Sequence, residues 1–311
     1  MVEPKKTYAP LTPVLALQLA APHTWSASVL PVLLAVVLAA VSVGKVSITL
    51  VLALLGISVL MQSAVNTLND YFDFVKGADA LENQVDPNDA VLVYNQVNPR
   101  SVLFLAIGFL VVALGLGGYV IYLAGLIPLV IGIVGAFIII LYSAGKTPLS
   151  YLPLGELASG ITMGCAIPLA SYQALTLTLD WGILYLSFPF VLGIALIMFT
   201  NNTCDIEKDI EAGRKTLSVI LGRAKAIIFY RCMVAIWIVA IVTFVALFYP
   251  AGLIVLPFML LIAYPTFNTL WKNPFTLQTR IQAMALCLNM NNTLGLFYLL
   301  AIATSLVTPL L

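Results

Sequence analysis

Two stretches hold the residues that can do chemistry. In Thr200-Asn201-Asn202-Thr203-Cys204-Asp205-Ile206-Glu207-Lys208-Asp209, the residues Asn201, Asp205 and Asp209 recur at i, i+4 and i+8, the spacing of one helical face. In Asn66-Thr67-Leu68-Asn69-Asp70-Tyr71-Phe72-Asp73, the residues Asn66, Asn69 or Asp70, and Asp73 repeat it at i, i+3/i+4 and i+7. Each set closes a long apolar run. Carboxylates there are costly unless a cation or a water-filled cavity receives them. Plain helix capping suits an amino-terminal end, whereas these are carboxyl-terminal ends, where the macrodipole opposes negative charge. A divalent cation answers both objections. Magnesium favours oxygen ligands, keeps several waters and usually combines one or two carboxylates with phosphate oxygens. Two facing sets, Asn66, Asn69 or Asp70, and Asp73 in one and Asn201, Asp205 and Asp209 in the other, therefore suit a diphosphate carried by magnesium. Lys76, Arg214 and Lys215 follow a few residues later and can neutralise the remaining phosphate charge.

The elements that must position these sets are membrane helices. Of 311 residues, 62% are hydrophobic and 9% charged, and the mean hydropathy is +1.07, more apolar surface than a soluble core can hide. The chain is expected to be an all-α polytopic membrane protein, a single integral-membrane domain. Cutting at polar and Pro/Gly breaks gives nine spans, approximately 24–43, 46–72, 99–121, 123–143, 154–175, 181–203, 224–248, 251–271 and 278–307. No cleavable signal peptide is evident in the opening residues.

Alternating nine spans puts Lys5, Lys6, Lys76, Arg100, Lys146, Lys208, Arg214, Lys215, Arg223, Lys225, Lys272 and Arg280 on the side of the amino terminus. Lys45 alone falls opposite, and Arg231 lies inside the seventh span. The positive-inside rule then places the amino terminus in the cytoplasm and the carboxyl terminus outside, in a cell membrane. The acids, Glu156 among them, gather on the same cytoplasmic side, with Asp180 alone outside. That bias does not require acids there, so a polar catalytic cap facing the cytoplasm is the simpler account. Its loops are 75–98 and 205–222. Because each follows an even-numbered span and begins with an Asn/Asp set, spans one to four and five to eight read as a pseudo-repeat with the ninth added. The four cysteines, Cys165, Cys204, Cys232 and Cys287, have no paired spacing and read as buried free thiols. His23 is the only histidine, which excludes a multi-histidine centre.

Asn69-Asp70-Tyr71-Phe72-Asp73 resembles the first aspartate motif of the UbiA-type intramembrane prenyltransferases, and Asp205-Ile206-Glu207-Lys208-Asp209 resembles their second. Tyr142-Ser143-Ala144-Gly145-Lys146 matches the YxxxK element of that superfamily. The string from Asn201-Asn202 through Asp205, Asp209, Ala212-Gly213, Lys215-Thr216-Leu217 and Leu221-Gly222 is most similar to the MenA branch, the 1,4-dihydroxy-2-naphthoate prenyltransferases. There are departures. Cys204 stands where that branch usually has an arginine, Ile210 where a basic residue is common, and Gly77 at the third acidic position, with Asp79 nearby. The loop between Glu82 and Arg100 also lacks the branch's Gly-rich, basic character.

The resemblance implies magnesium-dependent transfer of a polyprenyl group from its diphosphate to 1,4-dihydroxy-2-naphthoate, releasing carbon dioxide and diphosphate and giving demethylmenaquinone. Asp70, Asp73, Tyr142, Lys146, Asp205 and Asp209 would be catalytic, Tyr142 and Lys146 holding the diphosphate or the acceptor. Asp70 would orient the acceptor or a water. The partners are polyprenyl diphosphate, an aromatic acid and the lipid bilayer, with no nucleic acid. Three other readings compete. A UbiA-type enzyme for another aromatic acceptor would keep the aspartate motifs and differ in its loops. A transporter would place its ionisable groups near the bilayer midplane on broken helices, and a non-catalytic binder would have little reason to keep both acidic sets.

Overall fold

The computed structural model describes residues 8–76, 91–143 and 148–307. Helices dominate them and no strand forms among them, only an isolated bridge between Ala9 and Val97. Two units organise the chain: Met1–Ser26 with Leu52–Tyr119, and Ala27–Val51 with Val120–Leu311. This division cuts across the pseudo-repeat expected from motif placement, whose boundary lies between the fourth and fifth spans.

In order, the helices begin with α1 (Pro13–Ala20), α2 (Ser26–Val43), α3 (Ile48–Lys76), α4 (Val91–Asn95), α5 (Pro99–Ala124) and α6 (Ile127–Ser143). Next come α7 (Gly155–Ile161), α8 (Ile167–Thr176), α9 (Gly182–Leu186), α10 (Phe188–Cys204), α11 (Ile206–Glu211) and α12 (Leu217–Leu221). The last three are α13 (Arg223–Phe248), α14 (Leu256–Trp271) and α15 (Arg280–Ala303). A helical segment thus stands at each of the nine expected positions. Among the described residues six stretches are long and apolar enough to cross a membrane: Ser26–Val43, Ile48–Val75, Pro99–Ala124, Arg223–Phe248, Pro250–Trp271 and Leu277–Leu306. The other three positions are shorter or interrupted. A π-turn at Thr162–Ala166 separates α7 from α8, and the break at Ser187, before Pro189 in the first turn of α10, separates α9 from α10.

α3 has 29 residues, about 44 Å at 1.5 Å per residue against a hydrocarbon core of about 30 Å. It is therefore longer than the apolar layer is thick, and its last turns carry the first acidic set. Around that end the smaller unit packs Leu19, Val91, Leu92, Val97 and Val102, with Leu11, Leu15, Tyr71 and Phe74 against them.

In the larger unit α10 packs on α7, α13 and α15. Its approach to α7 and the π-turn is close because two glycines remove the intervening side chains. A Cβ on Gly160 would stand 2.7 Å from the Val191 carbonyl oxygen, and one on Gly164 would stand 2.6 Å from the Val191 nitrogen. Such close contact through small residues is how helices associate where lipid removes the hydrophobic drive. Gly164→Ala is therefore expected to cost about 1–3 kcal/mol by overpacking, read as a lowered midpoint of thermal unfolding in detergent. Gly132→Ala, whose Cβ would meet nothing within 4 Å, should leave that midpoint nearly unchanged.

Candidate functional site

The first acidic set sits where its spacing places it. α3 runs unbroken through Lys76, so Asn66, Asn69, Asp70 and Asp73 lie on successive turns of one helix. Asn66 is tied locally, its Nδ2 donating to the Ala20 carbonyl at 3.1 Å and to Thr24 Oγ1 at 2.9 Å. Asp70 is buried, and its Oδ2 accepts the Val91 amide at 3.0 Å. That contact fastens the start of α4 to α3 and satisfies an otherwise orphaned helix-terminal N–H. Asp73, one turn on, is exposed. Lys76 closes the helix, but its side chain, like Gly77, Asp79 and most of the 75–98 loop, lies outside the described residues, as does Lys146.

The second set departs from the single helix that i, i+4, i+8 spacing presumes. α10 ends at Cys204, Asp205 adopts φ −99°, ψ 16°, and α11 begins at Ile206. The turn-to-turn hydrogen bonds survive, Asp205 N to Asn201 O at 3.0 Å and Asp209 N to Asp205 O at 2.9 Å. The three residues thus stay on consecutive turns across a bend. Glu207 and Asp209 now fall in the first turn of a new helix, where the dipole favours negative charge instead of opposing it.

Every acid of this set is engaged. Arg280, at the start of α15, brings Nε to 3.1 Å from Asp205 Oδ2 and donates from NH2 to Asn201 Oδ1 at 2.8 Å. Asp209 is 4% exposed, with Oδ2 accepting from Thr216 Oγ1 at 3.2 Å and Oδ1 lying 3.4 Å from Arg214 NH1. Gly213, at φ +70°, closes α11 so that the Arg214 amide reaches back to the Asp209 carbonyl at 2.8 Å, a Schellman-type end that needs a residue tolerant of positive φ. The Arg214 guanidinium also lies over the Tyr151 ring at 5.0 Å, and the Lys215 amide donates to the Tyr151 carbonyl at 2.8 Å. Arg223 grips Glu207 through two contacts of 2.7 and 2.6 Å and donates to the Thr203 carbonyl at 2.8 Å, holding both sides of the bend.

Burial pushes the Asp205 carboxyl above its usual range, against the pull of Arg280 and Lys208. Burial does the same to Asp209, against Arg214 and Thr216. Asp205 Oδ1 is buried and accepts no hydrogen bond. An oxygen without a donor, in a carboxylate that already carries one cation, is what a metal ion or a further donor would complete. No three acidic, cysteine or histidine side chains gather into a metal cluster among the described residues. Magnesium needs fewer, since phosphate oxygens and water fill the rest of its shell, so the donor set fits that ion.

The description of the UbiA prenyltransferase family matches residues 28–293. The chain belongs to this family. It is 37% identical over 228 residues to the 1,4-dihydroxy-2-naphthoate octaprenyltransferase of Bacillus subtilis, covering 72% of each sequence. It is 33% identical over 197 residues to the enzyme of that name from Mycobacterium tuberculosis, covering 61% of this chain and 64% of that one. The fold matches the solved structure of a UbiA homologue from Archaeoglobus fulgidus bound to DMAPP and Mg2+, with a TM-score of 0.61 over 93% of this chain and 99% of that one at 17% identity. These findings bear out the resemblance to the naphthoate branch and make this UbiA chain a prenyltransferase embedded in a membrane.

Two polar residues of the UbiA chain escaped the sequence reading as site residues. Arg280 counted only as one more cytoplasmic cation, and Glu156 only as one more acid. No local motif marks either of them. Only the fold brings α15 and α7 to the end of α10. If the Asp205–Arg280 pair is a structural contact of this strength, Arg280→Met lowers unfolding free energy by about 1–3 kcal/mol. Adding Asp205→Asn should recover part of that loss, and a thermal-unfolding double-mutant cycle reads the coupling.

Proposed function

We propose that this protein transfers a polyprenyl group from polyprenyl diphosphate to 1,4-dihydroxy-2-naphthoate, with loss of carbon dioxide and diphosphate, giving demethylmenaquinone in its reduced, quinol form. The observation that carries this reading is Asp205, a half-buried carboxylate with one oxygen on Arg280 and the other buried without a donor, in a chain 37% identical to a naphthoate octaprenyltransferase. Asn69 and Asp73 from the first motif, with Asp205 and Asp209 from the second, are the proposed magnesium ligands. The naming of Mg2+ beside a prenyl diphosphate in the Archaeoglobus homologue supports this choice. When bound, magnesium supplies positive charge against the leaving diphosphate.

The chain's own groups then divide the work. Arg214 and Lys215 neutralise phosphate oxygens, with Lys76 and Lys146 proposed beside them, and Asn66, Asn201 and Asn202 orient the bound groups. The allylic carbon–oxygen bond breaks with its electron pair leaving on diphosphate, the electron-rich ring supplies the pair for the new carbon–carbon bond, and the ring–carboxylate bond then breaks, its pair restoring the aromatic ring as carbon dioxide leaves. Tyr142 borders this region: its ring lies 3.4 Å from where a Cβ on Gly155 would be, and its hydroxyl meets Met198 Sδ at 3.2 Å. Apolar helices hold the isoprenoid tail and keep water from the cation. Nine spans with the amino terminus and the active site in the cytoplasm complete the proposed topology, as one integral-membrane domain.

A second acceptor is favoured by Cys204, which is fully buried and brings no charge where the naphthoate branch usually has arginine. Purified protein with magnesium, labelled prenyl diphosphates and a panel of aromatic acids separates the two readings by the product formed. Asp73→Ala and Asp205→Ala are each expected to lower turnover by roughly 10²–10³-fold or more, while Asp180→Ala, at an exposed position, retains it. Full activity in either motif variant would sink the metal assignment. Because burial raises Asp205 and Asp209, protons compete with the metal at higher pH than they would at a solvated aspartate. The magnesium concentration for half-maximal rate should therefore climb as pH falls, and Mg2+ titrations across a pH series measure it.

A further inference from the structure

Glu156 is buried, 6% exposed, in the first turn of α7. Its Oε1 accepts a hydrogen bond from Asn202 Nδ2 at 2.9 Å, which ties it to the second aspartate motif. Its Oε2 is equally buried and has no hydrogen-bond partner. Among the described residues no cation forms an ion pair with it. An unpaired carboxylate oxygen out of water is costly for a fold to keep, so a ligand that brings a donor accounts for it better than packing does.

We infer that Glu156 is an acceptor-binding residue, its Oε2 receiving a hydrogen bond from a hydroxyl of the hydroxy-aromatic acceptor. This assignment rests on the prenyl-transfer reading above. The orphan atom can only accept, so its partner must donate, which leaves a hydroxyl or a cation. A metal is the weaker fit, because the other oxygen of Glu156 is already committed to a neutral amide. An aromatic side chain lies beside this position: Tyr142 Cε2 stands 3.4 Å from where a Cβ on Gly155, the neighbouring residue, would be. Met198 Sδ caps the Tyr142 hydroxyl. Like charges repel, so the carboxylate of an aromatic acid points away from Glu156 and its hydroxyl end points toward it. A hydrogen bond from that hydroxyl to a carboxylate strengthens as the ring gives up electron density to the allylic carbon, so the contact aids reaction as well as binding. Asn202 is a positioning residue in this scheme, holding Oε1 so that Oε2 faces the ring.

Glu156→Gln keeps the shape and the Asn202 contact but turns the accepting atom into a donor. In steady-state assays of the purified full chain, kcat/KM for the dihydroxynaphthoate should fall about 10- to 100-fold. KM for the prenyl diphosphate and the magnesium half-saturation should stay within about twofold of wild type. Glu156→Asp, which keeps the charge but shortens the reach, should fall between the two. Competitive inhibition by naphthoates lacking one hydroxyl gives a readout that a structural role would not move. Removing the hydroxyl that meets Glu156 should weaken inhibition of wild type about tenfold and of Glu156→Gln by less than about twofold. Equal acceptor kinetics in wild type and Glu156→Gln overturn the assignment, and so does a loss confined to the magnesium dependence. No prenylated product from wild type with any aromatic acid overturns the prenyl-transfer reading itself, an outcome distinct from these.

Discussion

Asp205 and Asp209 sit against apolar helices, where their charged forms are expensive, and a set of polar contacts of the larger unit offsets that expense. Arg280 from α15 meets Asp205, Arg214 and Thr216 meet Asp209, and Arg223 secures the bend between them through Glu207 and the Thr203 carbonyl. Each contact comes from a different stretch of chain. The ends of α10, α11, α13 and α15 are therefore held together by one electrostatic requirement. In the smaller unit Asp70 meets the same requirement with backbone amides at the start of α4. The compensation is incomplete at Asp205 Oδ1 and Glu156 Oε2, the two carboxylate oxygens left for a ligand to satisfy.

The bend at Asp205 changes the local electrostatics. One unbroken helix would have put Asp209 at its negative end. Ending α10 at Cys204 and starting α11 at Ile206 puts Asp209 near a positive end instead. The first set has no such reversal, since α3 continues to Lys76. Asp73 instead stands exposed in the last turns of a helix longer than the apolar layer is thick. Two sets with the same residue types thus reach tolerable energies by different routes.

Much of this was legible in the residues. Runs of apolar side chains of the right length located the long helical segments, because burial in lipid demands them, while the short helices α1, α4, α11 and α12 fell outside every expected span. The Asn and Asp spacings located both acidic sets, because carboxylates beside such runs need a reason. The bend at Asp205 was not legible, since nothing in Cys204-Asp205-Ile206 forbids a continuing helix and the break depends on Arg223 and Arg280 arriving from elsewhere. Glu156 and Arg280 were invisible for the same reason: their partners lie 46 and 79 residues away, and no pattern within a few turns encodes a contact of that separation. Two interrupted helices, at the π-turn and at Ser187, were read as continuous spans because hydropathy averages over a break that the backbone does not.

The glycines at 160 and 164 bring the backbone of α7 and the π-turn almost onto that of α10. Without a cushion of side chains, these segments cannot slide or tilt against each other without collision. The interval between Glu156 and Asp205 is then a fixed gauge. Homologues of this chain that came to handle a bulkier or slimmer aromatic would have to do so by exchanging residues at the rim, since the frame itself has no travel to give.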